Sequence, residues 1–348
     1  MRYTKKKTEF IYSSLVPSIE SFYSIKKNII KPLKERFLKI KYKANIKIYP
    51  FDKEFSLKRL TEILQDKKKT LIIANKKAYA SFLYCPRCED EILCQNCDVP
   101  LKVYKKEKEY LECSICKTKY ETITRCPECE TPLETVGIGI EKVEEYLKKY
   151  FTGISYLHEE KDTNIKLTTT ILDKDLTTEN FERVINIYPD FFLFVQDYKG
   201  REKFFRNILY SYIKAEKEFI LFTNQQNDIS IKAFLNKKLE KFYEDELNIR
   251  KNFGYPPFKR YILLTFEKKI LDIDFLNELF KIWIKENNLK NVKYKGIFKG
   301  YHYKVKGKER AQLLLIDFKN KQALKILHEK CRKLGIKLII DVDPVQII

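Results

Sequence analysis

At 348 residues the chain is long for one domain, and two or three are expected. Its formal charge is +21 and 44% of its residues are hydrophobic, which excludes a disordered polyelectrolyte; no run is long and apolar enough to span a bilayer. A surface this basic points to an acidic polymer as partner, nucleic acid first.

The charge is segregated. Residues 1–80 carry 21 Lys and Arg against 7 Asp and Glu, and residues 258–348 carry 21 against 10, whereas 81–129 (8 against 9) and 130–257 (19 against 22) are slightly acidic. A lysine bias of the whole proteome would raise every segment alike, so the two ends are the expected phosphate-binding faces. The N-terminus is basic, but Phe10, Ile11, Tyr12, Ser13, Ser14, Leu15 and Val16 are too few and too polar for the apolar core of a signal peptide. A cytoplasmic location is expected, where thiols stay reduced and Cys-x-x-Cys pairs read as metal ligands rather than disulfides.

In chain order, residues from Leu60 read as helix, then a buried strand Leu71 to Ala74, then a basic turn Asn75-Lys76-Lys77 leading into the first cysteine. After the last paired cysteine, Gly137-Ile138-Gly139 opens an amphipathic helix with Val143, Tyr146, Leu147 and Tyr150 on its apolar face. Apolar segments follow at Ile165 to Leu172, Val184 to Tyr188, Phe191 to Val195 and Phe219 to Thr223, several of which read as strands of one sheet with helices between. The cysteine block is thus an insertion after the first strand of an α/β unit. From Phe258 the pattern changes to strand Tyr261 to Phe266, helix Phe275 to Ile284, strands Tyr294 to Tyr303 and Ala311 to Asp317, helix Gln322 to Leu334 and strand Lys337 to Val342. That βαββαβ order predicts an α+β, ferredoxin-like unit, with Pro256-Pro257 at its boundary.

Eight of the nine cysteines, Cys85, Cys88, Cys94, Cys97, Cys113, Cys116, Cys126 and Cys129, form four Cys-x-x-Cys knuckles. A tetrahedral zinc with four thiolates uses two knuckles, so two Zn2+ ions are expected, and closed thiolate sets without His are structural rather than catalytic. Between Cys97 and Cys113, two short alternating strands flank the polar turn Lys105-Lys106-Glu107-Lys108. Such a hairpin brings the second knuckle onto the third. Nested sites follow, with Cys94, Cys97, Cys113 and Cys116 inside and Cys85, Cys88, Cys126 and Cys129 outside; sequential pairing of the knuckles is the alternative. Cys331, in a helical pattern, reads as a core residue.

Near the C-terminus, Lys293, Lys295, Lys299, Lys304, Lys306, Lys308 and Arg310 put seven cations on one predicted strand pair with Glu309 the single acid among them. They are the predicted DNA contacts, with Lys26, Lys27, Lys31 and Lys34 as a second cluster. Tyr294, Phe298, Tyr301 and Tyr303 either stack on unpaired bases or pack across strands. His158, His302 and His328 are scattered and carry no assigned role.

Several of these runs resemble the primosomal replication-restart helicases of the PriA family. Tyr84-Cys85-Pro86-Arg87-Cys88 through Cys126-Pro127-Glu128-Cys129, followed by Gly137-Ile138-Gly139-Ile140-Glu141-Lys142-Val143-Glu144-Glu145, is similar to that family's cysteine-rich insertion and the run behind it. Phe242-Tyr243-Glu244-Asp245-Glu246-Leu247, Arg250 and Tyr255-Pro256-Pro257-Phe258 resemble the lead into its C-terminal domain, Asp341-Val342-Asp343-Pro344 its close, and Val16-Pro17-Ser18-Ile19-Glu20-Ser21 the end of its first helicase lobe.

The resemblance implies the end of a first lobe and the start of a second RecA-like lobe in 1–84, a double-zinc insertion in 85–130, the rest of the second lobe in 131–241, a linker in 242–257 and the C-terminal domain in 258–348. The family's ATP-binding lobe would lie before residue 1, and no G-x-x-x-x-G-K-[ST] loop occurs in this sequence. The second lobe departs from the family: Thr169-Thr170-Ile171-Leu172 and Asp175-Leu176 replace its glycine-containing motif. Lys214 and Lys217 stand where its two arginines stand, and a lysine lacks the planar fork of an arginine finger. Catalytic and nucleotide-binding residues are therefore expected to be absent. The implied function is binding of branched or single-stranded DNA and assembly of replication-restart partners, single-strand-binding protein among them. One half of a split helicase, completed by an ATPase lobe on another chain, and a zinc-stabilised interaction scaffold stay open as alternatives.

Overall fold

The computed structural model describes residues 14, 16–31, 42–105, 108–171, 175, 179–194 and 197–344, except the side chains of 300–302. Of the residues singled out above, Phe10 to Ser13, Leu15, Lys34, Lys106, Glu107, Leu172, Leu176 and Val195 lie outside this set, as do the side chains of Tyr301 and His302.

Helix α1 (Ile19–Lys26), capped by Ser18, precedes β1 (Asn45–Tyr49), α2 (Lys53–Leu64) and β2 (Thr70–Ile73). The Asp52 carboxylate accepts from the amides of Glu54 and Phe55 and fixes where α2 starts. The cysteine module follows with β3 (Phe82–Cys85), β4 (Asp90–Glu91), β5 (Leu101–Lys105), β6 (Glu109–Cys113), β7 (Lys119–Glu121) and β8 (Glu134–Val136). The chain then runs through α3 (Ile140–Lys148), β9 (Ile154–Tyr156), β10 (Ile165–Thr168), β11 (Phe181–Ile187), α4 (Phe191–Phe194), α5 (Gly200–Ile213), β12 (Ala215–Phe222), α6 (Ile229–Leu235) and α7 (Leu239–Phe253).

Strands β1-β12-β11-β2-β10-β9 form one parallel sheet in that order. Its central strands carry apolar runs buried on both sides, Leu71, Ile72 and Ile73 in β2 and Phe219 to Phe222 in β12, because helices cover both faces. One face packs α1, α5, α6 and α7 around Phe204, Phe205, Phe219, Phe234 and Phe242; the other packs α2 and α3 around Leu60, Ile72, Val143 and Leu147.

Two expectations need correction. The module is inserted after the second strand, since Asn45-Ile46-Lys47-Ile48-Tyr49 already pairs with β12 at the sheet edge. Of the four apolar segments, Phe191 to Phe194 is the one that forms a short helix, because Pro189-Asp190 turns the chain out of the sheet: the amides of Phe192 and Leu193 donate to the carbonyls of Pro189 and Asp190. The stretch from 242, read above as a linker, lies in α7, with Phe242, Tyr243, Glu246, Leu247 and Arg250 buried.

The module leaves and rejoins the sheet through β3 and β8, which pair antiparallel. Gly139 is required at this seam: a Cβ there would meet the carbonyl oxygen of Ala78 at 1.9 Å. The Gly-Ile-Gly run is therefore a place of close backbone approach, with the Gly139 amide on Tyr79 O (3.1 Å) and the Ile140 amide on Lys76 O (3.0 Å).

The C-terminal unit comprises β13 (Tyr261–Lys268), α8 (Ile273–Glu286), β14 (Lys293–Val305), β15 (Lys308–Ile316), α9 (Lys321–Lys333) and β16 (Lys337–Val342), the expected βαββαβ order. Its sheet is antiparallel in the order β14-β15-β13-β16, so β14 is an edge. Leu264, Phe280, Trp283, Leu313, Leu327 and Cys331 form its core, and the Trp283 indole N–H satisfies itself on Ala323 O at 2.8 Å.

Candidate metal centres and their surroundings

Each knuckle is built by the same local geometry. The residue after its second cysteine, Glu89, Asp98, Lys117 or Glu130, takes a left-handed backbone with φ between +48° and +64°. That reversal turns both cysteine side chains to one side. In three knuckles the amide of the first cysteine donates to the carbonyl five residues on (Cys94 to Val99 O, Cys113 to Thr118 O, Cys126 to Thr131 O), while the amide of Asp98, Lys117 or Glu130 returns to the first cysteine's carbonyl. The strands β5 and β6 pair Leu101 with Cys113 and Lys105 with Glu109, which sets the second knuckle against the third as the spacing predicts.

The result is two nested sets. Cys94, Cys97, Cys113 and Cys116 form one, Cys85, Cys88, Cys126 and Cys129 the other, with all four sulfurs of each within 4.8 Å of one another. The Sγ atoms of Cys85 and Cys129 are 3.5 Å apart, those of Cys88 and Cys126 3.9 Å, and those of Cys94 and Cys116 3.7 Å. Sulfurs at the corners of a tetrahedron with 2.3 Å metal bonds lie about 3.8 Å apart, so both sets fit a tetrahedral metal ion closed by four thiolates. Sequential pairing of the knuckles is not what the fold makes.

Hydroxyls support these sulfurs. Thr118 Oγ1 lies 3.1 Å from Cys116 Sγ, Thr131 Oγ1 3.3 Å from Cys129 Sγ, and Tyr120 Oη 3.2 Å from Cys94 Sγ. The contact with Thr118 draws the Cys116 thiol down to about 6, and Thr131 does the same for Cys129. Burial pushes Cys113 the other way, up to about 12. The sequence reading missed these threonines although the signal is repeated: Cys113-Ser-Ile-Cys-Lys-Thr118 and Cys126-Pro-Glu-Cys-Glu-Thr131 both place Thr two residues after a knuckle. Cys331 sits apart in the core of the C-terminal unit, as expected.

The predicted DNA-contact residues divide. Lys293, Lys295 and Lys299 are exposed along edge strand β14. Arg310 is instead engaged by Glu267 through two hydrogen bonds (3.0 and 2.8 Å), with Lys308 3.8 Å from the same carboxylate. Lys304 turns to the cysteine module, where its Nζ bonds Gln95 O at 3.1 Å and approaches Asp98 at 3.8 Å; Lys306 is exposed at the turn. Phe298 and Lys295 line a cavity of about 670 Å³ shared with Phe194, Tyr198 and Tyr255, whereas Tyr294 stands edge-on to Phe280 of α8 at 4.9 Å. In the second cluster Lys26 pairs with Glu244 at 2.7 Å, and Lys31 is exposed.

Lysines also crowd the seam where the module joins the sheet. Burial and then Lys102 hold the Lys76 ammonium below its usual range; burial followed by Lys117 and Lys77 does so for Lys102. On the other side, burial and the adjacent Lys53 push Lys142 down to about 8.

A buried ion cluster escaped the sequence reading. Arg250 donates to Glu20 (3.0 Å), Glu202 (2.9 Å) and Glu246 (3.1 Å), and also to Pro256 O. Arg201 binds Glu246 and Asp228, Arg206 binds Glu202, and Lys199 approaches Glu20. Burial alone would raise Glu20, but Arg250 and Lys199 together pull it below the ordinary carboxylate range, while burial and then Glu20 hold Glu202 above it. Tyr243 adds a bond to Pro17 O at 2.9 Å. Runs noticed separately for their resemblance, around Glu20, Glu246, Arg250 and Pro256, thus meet at one point joining α1, α5, α7 and the lead into β13.

Lys214, one of the two lysines in place of arginines, is fully buried, with Nζ on Asp175 O at 2.8 Å. Lys217 pairs with Glu182 at the surface. No described helix is long and apolar enough to cross a membrane.

No protein-family model matches the chain. Curated relatives do. The chain is 30% identical over 296 residues to replication restart protein PriA of Borreliella burgdorferi, covering 76% of the chain and 44% of that protein. It is 26% identical over 321 residues to PriA of Thermotoga maritima (86% of the chain, 43% of the relative), and 26% identical over 416 residues to PriA of Rickettsia felis (99% and 59%). The chain therefore spans about two-fifths to three-fifths of the length of these relatives, and over the part it spans it is PriA-like.

Proposed function

We propose that the protein is a zinc-containing, DNA-binding component of replication restart and primosome assembly that does not hydrolyse ATP or unwind DNA by itself. The observation that carries the proposal is the agreement of two independent features: similarity to replication restart proteins over most of the chain, and an excess of Lys and Arg in both end segments together with lysines crowded at the module's seam. In this reading the parallel sheet is an eroded second helicase lobe and the βαββαβ unit is ferredoxin-like. The two ions are zinc, because four thiolates without an open position or a histidine suit a closed structural zinc site. They supply shape and no chemistry.

DNA is met along β14, where Lys293, Lys295 and Lys299 stand clear of internal carboxylates, and at the seam, where crowded ammonium groups such as Lys76 and Lys102 would be relieved by a phosphate. Branched or single-stranded DNA, single-strand-binding protein and other primosome proteins are the partners, in the cytoplasm. Burial of Lys214 favours the inactive reading, since an ammonium held on Asp175 O is not available to a nucleotide. That contact also weighs against the split-helicase alternative.

The test is binding of forked DNA across a salt series by the full chain and by Lys293→Gln/Lys295→Gln/Lys299→Gln. The salt slope should flatten by roughly one unit for each lost phosphate contact. Unchanged affinity and slope would remove β14 from the interface, and absence of salt-dependent binding by the unaltered chain would leave the protein-interaction scaffold as the surviving reading.

A further inference from the structure

The turn between β14 and β15 reaches across to the inner thiolate set. Lys306 and Gly307 have φ of +49° and +75°, the left-handed pair of a two-residue hairpin turn, and Val305 pairs with Lys308 around them. The amides of the two turn residues lie outside the ladder, and both are used on the module. The Lys306 amide donates to Cys97 Sγ at 3.4 Å and the Gly307 amide to Asn96 O at 3.0 Å. With Lys304 on Gln95 O, three consecutive residues of one knuckle accept from the turn and the end of β14, 209 positions away for Lys304 and Lys306. Among the described residues, no hydrogen bond from the C-terminal unit reaches the outer set.

From this geometry we infer that the β14–β15 turn is part of the inner metal site, so that metal binding there and docking of the C-terminal unit on the module depend on each other. The inference rests on the metal reading given above. A metal-bound thiolate is a charged acceptor, and an amide aimed at it makes a stronger bond than one aimed at a neutral thiol. The metal also holds Gln95, Asn96 and Cys97 in the knuckle conformation that presents the other two acceptors. Losing the metal therefore weakens all three contacts together. By linkage, losing the turn must weaken metal retention to the same degree. The outer site, which lacks this support, is the internal control.

Metal content of the full chain is measured first; a chain that binds no metal removes the metal reading, whereas the outcomes below bear only on the coupling. In the loaded chain, backbone hydrogen exchange of a peptide covering 303–309 should be slow. Cys113→Ser, in the inner site, should speed it by about tenfold, and Cys126→Ser, in the outer, should not. Reciprocally, Lys304→Ala with Gly307→Val should speed release of one of the two ions to a chromophoric chelator by a similar factor. Equal exchange of the turn in both cysteine variants, or unchanged release of both ions, would overturn the inference. Should a cysteine variant fail to fold, the chain loaded with 113Cd and labelled with 15N-lysine gives a direct reading: scalar coupling between the metal and the Lys306 amide proton is expected, and its absence would also overturn it.

Discussion

The cysteine module and the Arg250 cluster solve one problem in two ways. Each ties together chain segments that are far apart in the sequence. The module has a small core around Ala80, Leu83, Leu101, Val103 and Leu111, and Cys94, Cys97 and Cys113 are themselves part of it. The Arg250 cluster sits beside a large core and draws on Glu20, Glu202 and Glu246, from three helices. In the module a metal would gather thiolates that repel one another without it. In the cluster four acids, Glu20, Glu202, Glu246 and Asp228, face four bases, Lys199, Arg201, Arg206 and Arg250, and the charge closes on itself. The first arrangement depends on a ligand from outside; the second is complete in the chain but intolerant of losing one member.

Removing the metal should have the largest effect. Chelation is expected to unfold residues 82–136 while the six-stranded sheet and the C-terminal core keep their slow exchange, because structural zinc contributes on the order of 10 kcal/mol to a module with little core. Retention of protected amides in β5 and β6 after complete metal removal would show that the small core suffices and would erase the contrast.

Arg250→Met comes next. It leaves three carboxylates around an apolar side chain, and a loss of about 3–5 kcal/mol in denaturant unfolding is expected. Adding Glu20→Gln and Glu202→Gln should recover part of that loss, since what costs is the unpaired charge rather than the missing pair. A single variant as stable as the original chain would place the cluster among ornamental surface pairs.

The smallest effect lies at the seam between module and sheet. Lys142 faces Lys53, with Glu145, Glu54 and the Tyr79 ring nearby. Its ammonium is pushed down to about 8 in the fold against about 10.4 in an unfolded chain. Between these values the unfolded state holds more proton, so stability should rise as pH climbs from about 8 towards 10. Lys53→Gln removes the repelling neighbour and should flatten that rise; an equal pH dependence in both chains would assign it to other groups. Bound DNA should flatten it as well.

The contrast extends to what could be read in advance. The knuckles and their nesting were legible because their determinants are local: a two-residue gap in each pair and a short alternating hairpin between Cys97 and Cys113. The βαββαβ order was legible for the same reason, through periodicities of two and 3.6. The helix Phe191–Phe194 could not be told from a strand, because a four-residue apolar run has no period to separate the two. Strand β1 passed unnoticed because an edge strand with lysine at its centre lacks the apolar run that marks the central ones.

By itself, then, the sequence determined the thiolate sets, the order of elements in the C-terminal unit and the likeness to PriA, all of which are written in neighbouring residues. Tertiary structure alone decided which charges are free. It turned Lys304 onto a knuckle, tied Arg310 to Glu267, buried Lys214, and drew Glu20, Glu202, Glu246 and Arg250 into one cluster. Whether a lysine meets solvent, a carboxylate or a sulfur site depends on elements that pack from 39 residues away, as for Lys214, to 209, as for Lys304, and no spacing in the chain records those contacts.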